Sequence, residues 1–305
     1  MGLSGLGRRL GGKLAVAGAA GVLVVALLVP AELFAQTPTG GGAVSIQTST
    51  TGSTPPTGSR RVAPCSEAKL HLLCPDLEMS APTDLHLDRS SIAGHVLLRA
   101  TSSVNSVGSG PMELRAHRRG NGPWTVQQAI YDTHGRAHLF ATKARLVWKF
   151  VPGYRYGEPT LDNYSYWKVS HVAAFQLWSI DARFHAERLV RVGPKVDYCL
   201  RDLIHSRPSA RSPVNPVYPE CSIDPTLQSD VLGTSVGWSD VYPYVYPQQY
   251  IDVTGLRGRF AFVMIADPLD EFQESNKRNN ASETYVQLPS GRILGQRVGL
   301  ATPVT

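Results

Sequence analysis

The sequence predicts an all-β fold, a β-sandwich with long loops. Short runs of alternating or fully apolar residues recur along the chain with turn signals between them. Twenty-two prolines punctuate it. Beyond residue 35, no 12-residue segment carries a clean i, i+3, i+4, i+7 apolar face. Many short strands with frequent breaks are the pattern of a sandwich rather than of a helical or α/β domain.

The first element stands apart from that fold. Arg8, Arg9 and Lys13 precede Leu14–Val29, an uncharged apolar run; Pro30 breaks it and Leu33-Phe34-Ala35 leads into Gln36. A basic stretch, a short apolar run and a small residue at its exit predict a secretory signal over residues 1–35. The run is shorter than the ~20 residues of a membrane span, and an uncleaved anchor is the alternative. No Cys follows it to accept a lipid. Residues 36–64 read as a tether, since Thr, Gly, Ser and Pro make up most of that stretch and such a composition buries no core. Residues 65–305 remain as the β domain.

Within that domain the strands are expected, in order, at His95–Ala100, Met112–Arg115 after the Gly108–Pro111 turn, Gln127–Asp132, and His138–Thr142 after His134-Gly135. Ala144–Phe150 ends at Pro152-Gly153, and Tyr164–Ile180 is one long extended stretch. Arg188–Val192, Lys195–Leu200, Tyr250–Val253, Arg259–Ile265 and Thr284–Leu288 complete the set. Two regions are rich in aromatics: residues 148–178, and residues 238–250 with Trp238, Tyr242, Tyr244, Tyr246 and Tyr250. A packed sandwich core with Tyr hydroxyls at its rim accounts for them by itself.

The formal charge of +6 resides mainly upstream of Cys65, where Arg8, Arg9, Lys13, Arg60 and Arg61 face the single acid Glu32. Residues 65–305 hold 25 Lys and Arg against 23 Asp and Glu. A nearly neutral domain lacks the concentrated basic face that nucleic acid demands, so nucleic acid is not an expected partner. Its aromatic and β-branched content excludes disorder. Cys65, Cys74, Cys199 and Cys221 are even in number, and outside the reducing cytosol their spacing favours the local disulfides Cys65–Cys74 and Cys199–Cys221. Zinc is the rival use of four cysteines, but no CxxC pair or Cys/His knuckle is present.

Several strings, in order, resemble one family. Lys195-Val-Asp-Tyr-Cys-Leu-Arg-Asp202 is similar to the lysyl oxidase segment Lys-x-x-Phe-Cys-Leu-x-Asp. Gly237-Trp-Ser-Asp-Val-Tyr242 and Gln249-Tyr-Ile-Asp-Val-Thr254 resemble that family's Gly-x-x-Asp-x-Tyr and Gln-x-Val-Asp-Ile-Thr. Asp267-Pro268 and Glu274-Ser-Asn-Lys-Arg-Asn-Asn280 resemble its Asn-Pro and Glu-Ser-Asp-x-x-Asn-Asn. Pro75-Asp76-Leu77 and Leu97-Leu-Arg99 fit its first strands, so the resemblance runs from about Cys74 to Leu288. It implies a secreted lysyl-oxidase-like domain of the bacterial type. The activity it implies is oxidative deamination of peptidyl lysine or another primary amine to an aldehyde, with copper and lysine tyrosylquinone as cofactors. The quinone carries the electron chemistry and the protein orients it. Carried over by position, Lys195 is the cross-linking lysine and Tyr242 the quinone precursor. Asp240, two residues before Tyr242, is a candidate for proton abstraction, with a solvated turn carboxylate as the alternative.

The copper strand departs from the family pattern. The family places three alternating His on one strand face, because every second side chain meets the same metal. With the register anchored on Phe175 and Trp178, those positions read Tyr166, Lys168 and Ser170; a slide of one residue gives Val169 and His171. His171 is the one ligand retained, and Lys168 puts a cation where Cu²⁺ is expected. His134, His138 and His185 do not have copper-site spacing. A calcium site is expected from the resemblance at Asp76, Glu274, Asn276, Asn279 and Asn280, hard oxygen donors of the kind Ca²⁺ takes; an Asn-rich turn is the alternative. Two functions follow: an exported amine oxidase with a divergent copper site, or a catalytically silent lysyl-oxidase-like module that binds at the cell envelope, attached to a membrane only through an uncleaved N-terminal anchor.

Overall fold

A computed structural model describes residues 64–155, 158–159, 163–194 and 196–298. The predicted signal, all of the predicted tether but Pro64, and Lys195 lie outside the described residues. Nineteen strands occur among the described residues: β1 Leu72–Leu73, β2 Leu77–Met79, β3 Thr83–Asp88, β4 Leu97–Ser106, β5 Met112–His117, β6 Thr125–Asp132, β7 Ala137–Ala141, β8 Leu146–Val151, β9 Tyr154–Arg155, β10 Glu158–Pro159, β11 Tyr164–Ile180, β12 Ala186–Val192, β13 Val196–Tyr198, β14 Ser229–Thr234, β15 Ser239–Tyr242, β16 Tyr250–Asp252, β17 Gly258–Ala266, β18 Ala281–Leu288 and β19 Arg292–Val298. The only described helices are two 3₁₀ turns, Pro64–Ser66 and Ala68–Leu70. The fold is all-β, as the sequence predicts. None of the described helices is long and apolar enough to cross a membrane.

All strand pairs are antiparallel, in three main sheets. One runs β1-β6-β5-β14, with β7 on β6. The largest runs β12-β11-β17-β18-β19, with β8 and β13 also on β11. In the third, β4 pairs with β3 and β16 along its first half and with β2 and β15 along its second. The core shows the period-2 logic of strands. Along β17, Phe260, Phe262 and Met264 face the main core, while Ala261 and Val263 face a second cluster with Ile180, Ala281 and Tyr285.

β11 runs over the range its sequence predicts, because it is largely apolar or aromatic on both faces. The short or polar strands β1, β2, β3, β14, β15 and β19 leave no such pattern, and each exists by pairing with a neighbouring strand. The structure contains both local disulfides, Cys65–Cys74 and Cys199–Cys221, and no described cysteine is free. Paired cysteines of this kind belong to an oxidising compartment.

Candidate functional site

A heavily buried polar cluster lies between β11, the end of β13, β15 and the turn after it. β11 carries Lys168, whose side chain is fully buried. Lys168 Nζ donates a hydrogen bond to the Tyr246 hydroxyl. It lies 4.7 Å from the centre of the Tyr246 ring, 5.0 Å from that of Tyr166 and 5.4 Å from that of Tyr242. Three electron-rich rings around an ammonium give it cation–π attraction in place of water. Burial still pulls its pKa down to about 7, opposed by the charges of Asp240 and Asp197.

β15 supplies Asp240 and Tyr242, which share a face because they are two residues apart in an extended strand. Both cap backbone amides just beyond β13: Cys199 N–H donates to the Tyr242 hydroxyl at 3.0 Å, and Leu200 N–H to Asp240 Oδ2 at 3.1 Å. Asp240 is therefore no solvated turn residue. It is fully buried, burial pushes its carboxyl up to about 7, and the charges of Arg201 and Lys168 pull the other way. Asp240 Oδ1 has no hydrogen-bond partner among the described residues. The Tyr242 ring stacks on Tyr198 at 3.9 Å and 11°, and meets Tyr246 edge-on at 4.9 Å and 88°. The Tyr198 hydroxyl is shared with Ser102 of β4 and with Gln249 Nε2 at 3.3 Å. Burial raises the phenols of Tyr198, Tyr242 and Tyr246 and keeps them neutral.

These residues do not fit copper. The three positions expected to carry imidazoles supply a phenol, an ammonium and a hydroxyl, and an ammonium has no lone pair to give a metal. His171 is not aimed at Tyr242. It sits at a break in β11 with φ +59°, its amide donates to Asp197 Oδ1 at 3.0 Å, and it lines a surface cavity. His138 is held by Asp132 and His185 by Asp181. Among the described residues no three His, Cys, Asp or Glu side chains converge for a metal.

No protein-family model matches the chain, and no curated protein matches it. The resemblance therefore rests on its strings alone. Gln249 bonds Tyr198; Asp202 takes the amides of Val217 and Ser235 at 2.8 and 2.7 Å and so shapes the loop between the two cysteines and β14. Asp267 takes the amides of Glu271 and Phe272.

The residues expected to bind calcium come together, with one exception. Glu274 is buried and accepts from Leu77 N–H at 2.7 Å and from Asn280 Nδ2 at 2.9 Å, while Asn279 Nδ2 donates to Asp76 at 2.8 Å. The Oδ1 atoms of Asn279 and Asn280 are buried without a partner among the described residues. Two orphaned amide oxygens beside two carboxylates fit a hard cation. Asn276 does not join them: it is exposed and turns back to the amide of Arg278. Burial raises Glu274 to about 8, and Lys277 Nζ, 3.8 Å from Glu274 and 3.1 Å from Asp267, supplies part of the missing positive charge.

Sequence reasoning missed Tyr198, Tyr246, Ser102 and Gln249 as neighbours of Tyr242. Tyr198 carried the signal of the Lys195–Asp202 string, Tyr246 that of the aromatic density of residues 238–250 and Gln249 that of its own string, whereas Ser102 carried none.

Proposed function

We propose that the chain is an exported, lysyl-oxidase-like β-sandwich that acts as a binding module at the cell envelope and does not carry out copper–quinone amine oxidation. The observation that carries this reading is the Lys168 ammonium, sealed among Tyr166, Tyr242 and Tyr246. A resident cation already answers the charge of Asp240, and among the described residues no imidazole set converges to hold the copper that would oxidise Tyr242. Access argues the same way. Tyr242 is buried under Tyr198 and Tyr246, whereas an amine substrate has to reach the ring. Calcium belongs to the same proposal: Asp76, Glu274, Asn279 and Asn280 would hold it, and when bound it would neutralise the buried carboxylates.

The test is expression of the full chain with copper, then peptide mapping and assay with a primary amine. The expected result is an unmodified Tyr242 peptide and no peroxide above a blank. A mass joining Lys195 to Tyr242, with quinone absorbance, would overturn the proposal in favour of the oxidase.

A further inference from the structure

A surface cavity of about 800 Å³ opens where β6, the link between β7 and β8, and the break in β11 meet. That is the size of pocket that takes a small organic ligand. Neighbouring residues of a strand normally point to opposite faces. Ser170 and His171 nonetheless both line this cavity, a placement that the positive φ of His171 permits. The pairing of β11 shifts register across the same residues, and Asp197 fixes the His171 amide. The opposite wall is equally fixed, because Thr142 Oγ1 donates to the Glu271 carbonyl at 2.6 Å and Asp267 holds the Glu271 amide at 2.7 Å.

Three kinds of group face this space. Trp124 offers an indole whose other surroundings are already occupied: the Arg118 guanidinium lies 4.7 Å from its ring centre and the Trp167 ring meets it at 75°. Lys143 and Arg145 are exposed cations on the rim, with His171 beside them. Glu271 is the single carboxylate of the lining; burial and Asp267 raise its pKa, while His171, Arg145 and Lys143 lower it. We infer that this cavity binds a saccharide bearing a carboxylate, with a sugar face on Trp124, the carboxylate between Lys143 and Arg145, and hydroxyls at Gln127, His171 and Glu271.

The chemistry selects that class. A flat indole ringed by polar side chains suits the apolar face and hydroxyl rim of a sugar. The two permanent cations attract an anion and repel a lysine side chain. An extended peptide gains its affinity by adding to a free strand edge, and the stretch of β11 without a partner strand here, residues 170–172, is short and already engaged: Ser170 N–H donates to the Arg145 carbonyl, His171 N–H to Asp197 Oδ1, and the Val172 carbonyl accepts from Asp267 N–H. The inference rests on the reading of the domain as a binding module and supplies its ligand.

The experiment is calorimetric titration of the full chain with the disaccharide of glucuronic acid and N-acetylglucosamine, and with neutral diacetylchitobiose. A tripeptide with an acidic residue is the third ligand. The acidic disaccharide is expected to bind at least tenfold more tightly than either control. Lys143→Glu combined with Arg145→Glu, both at exposed positions, is expected to abolish that preference with the thermal midpoint unchanged. No binding, equal binding of the neutral sugar, preferred binding of the peptide, or full binding by the double variant would each overturn the inference. Those failures leave the Tyr242 peptide unmodified, so they are distinct from failure of the module reading, which modification of Tyr242 alone reports.

Discussion

The ammonium of Lys168 lies 5.4 Å from the centre of the Tyr242 ring, and neither side chain reaches solvent to any useful extent. The cluster follows from this relationship. A charge that deep persists only with partners, and Lys168 has three aromatic faces, the Tyr246 hydroxyl and the field of Asp240. Tyr242 in turn is held by the Cys199 amide on its hydroxyl and by Tyr198 on its face, so its position does not depend on a metal.

Lys168→Met removes the cation and leaves Asp240 buried with Arg201 as its remaining counter-charge. Removing one of two buried charges that act on each other is expected to lower stability by about 3 kcal/mol in urea unfolding near pH 7, where Lys168 is still partly protonated and Asp240 partly ionised. Adding Asp240→Asn removes the stranded charge, and the double variant is expected to recover at least half of that loss. A double variant as unstable as the sum of the single variants would mean that the two groups do not interact.

The same pair sets a pH dependence. The Asp240 carboxyl rises from 3.8 to about 7 on folding, so the folded state holds an extra proton in that interval and its contribution is lost as pH climbs from about 4 to 7. Lys168 falls from 10.5 to about 7, so the unfolded state holds the extra proton above 7 and stability returns between 7 and about 10. The combined contribution has its minimum near pH 7, with slopes of at most about 1.4 kcal/mol per pH unit on either side. Glu274, raised to about 8, also lowers stability as pH rises toward that value. The measurement is therefore the difference between the native chain and the Lys168→Met, Asp240→Asn double variant across pH 4–10. A difference that is flat with pH would refute the assignment.

The fold class and the long strand β11 were legible because apolar periodicity over many residues is a local signal. The two disulfides were legible from spacing and compartment. Asp240 was not: in isolation Gly237-Trp-Ser-Asp looks like a turn, and only the Leu200 amide, 40 residues away, makes it a buried acceptor. Glu274 meets Leu77 across 197 residues, and the edge strands β14, exposed only in its first half, and β19, exposed over most of its length, have polar residues that hide their period. What the sequence lacked in each case was a partner distant along the chain.

The glycine of the Gly237–Tyr242 string has a physical reason. Its φ is +81°, and a methyl group there would come within 2.6 Å of the Arg207 carbonyl oxygen and against Ser212. Gly237→Ala is expected to lose at least ~2 kcal/mol in urea unfolding, the sum of backbone strain and the clash. Gly94 has nearly the same φ, +78°, with nothing near its would-be methyl, so Gly94→Ala is expected to lose only about 1 kcal/mol. Equal losses at the two positions would show that the Arg207 contact does not matter.

The calcium site proposed at Asp76, Glu274, Asn279 and Asn280 would carry a built-in proton linkage. Glu274 is protonated below about 8 and has to release that proton to ligate, so calcium affinity is expected to strengthen as pH rises from 6 to 8.5. Lys277 is the internal competitor, since its ammonium already sits 3.8 Å from Glu274. At a hundredfold excess over Kd, calcium is expected to stabilise the folded state by about 2.7 kcal/mol, which raises the thermal midpoint by roughly 5–10 °C for a domain of this size. Chelation removes the gain. Asp76→Asn is expected to weaken binding, because it takes one full charge from the site while preserving its shape. Lys277→Met is expected to tighten it, because the competing cation is gone. A thermal midpoint indifferent to millimolar calcium at pH 8.5, in both the native chain and Lys277→Met, would leave the two orphaned asparagine oxygens to ordered water instead.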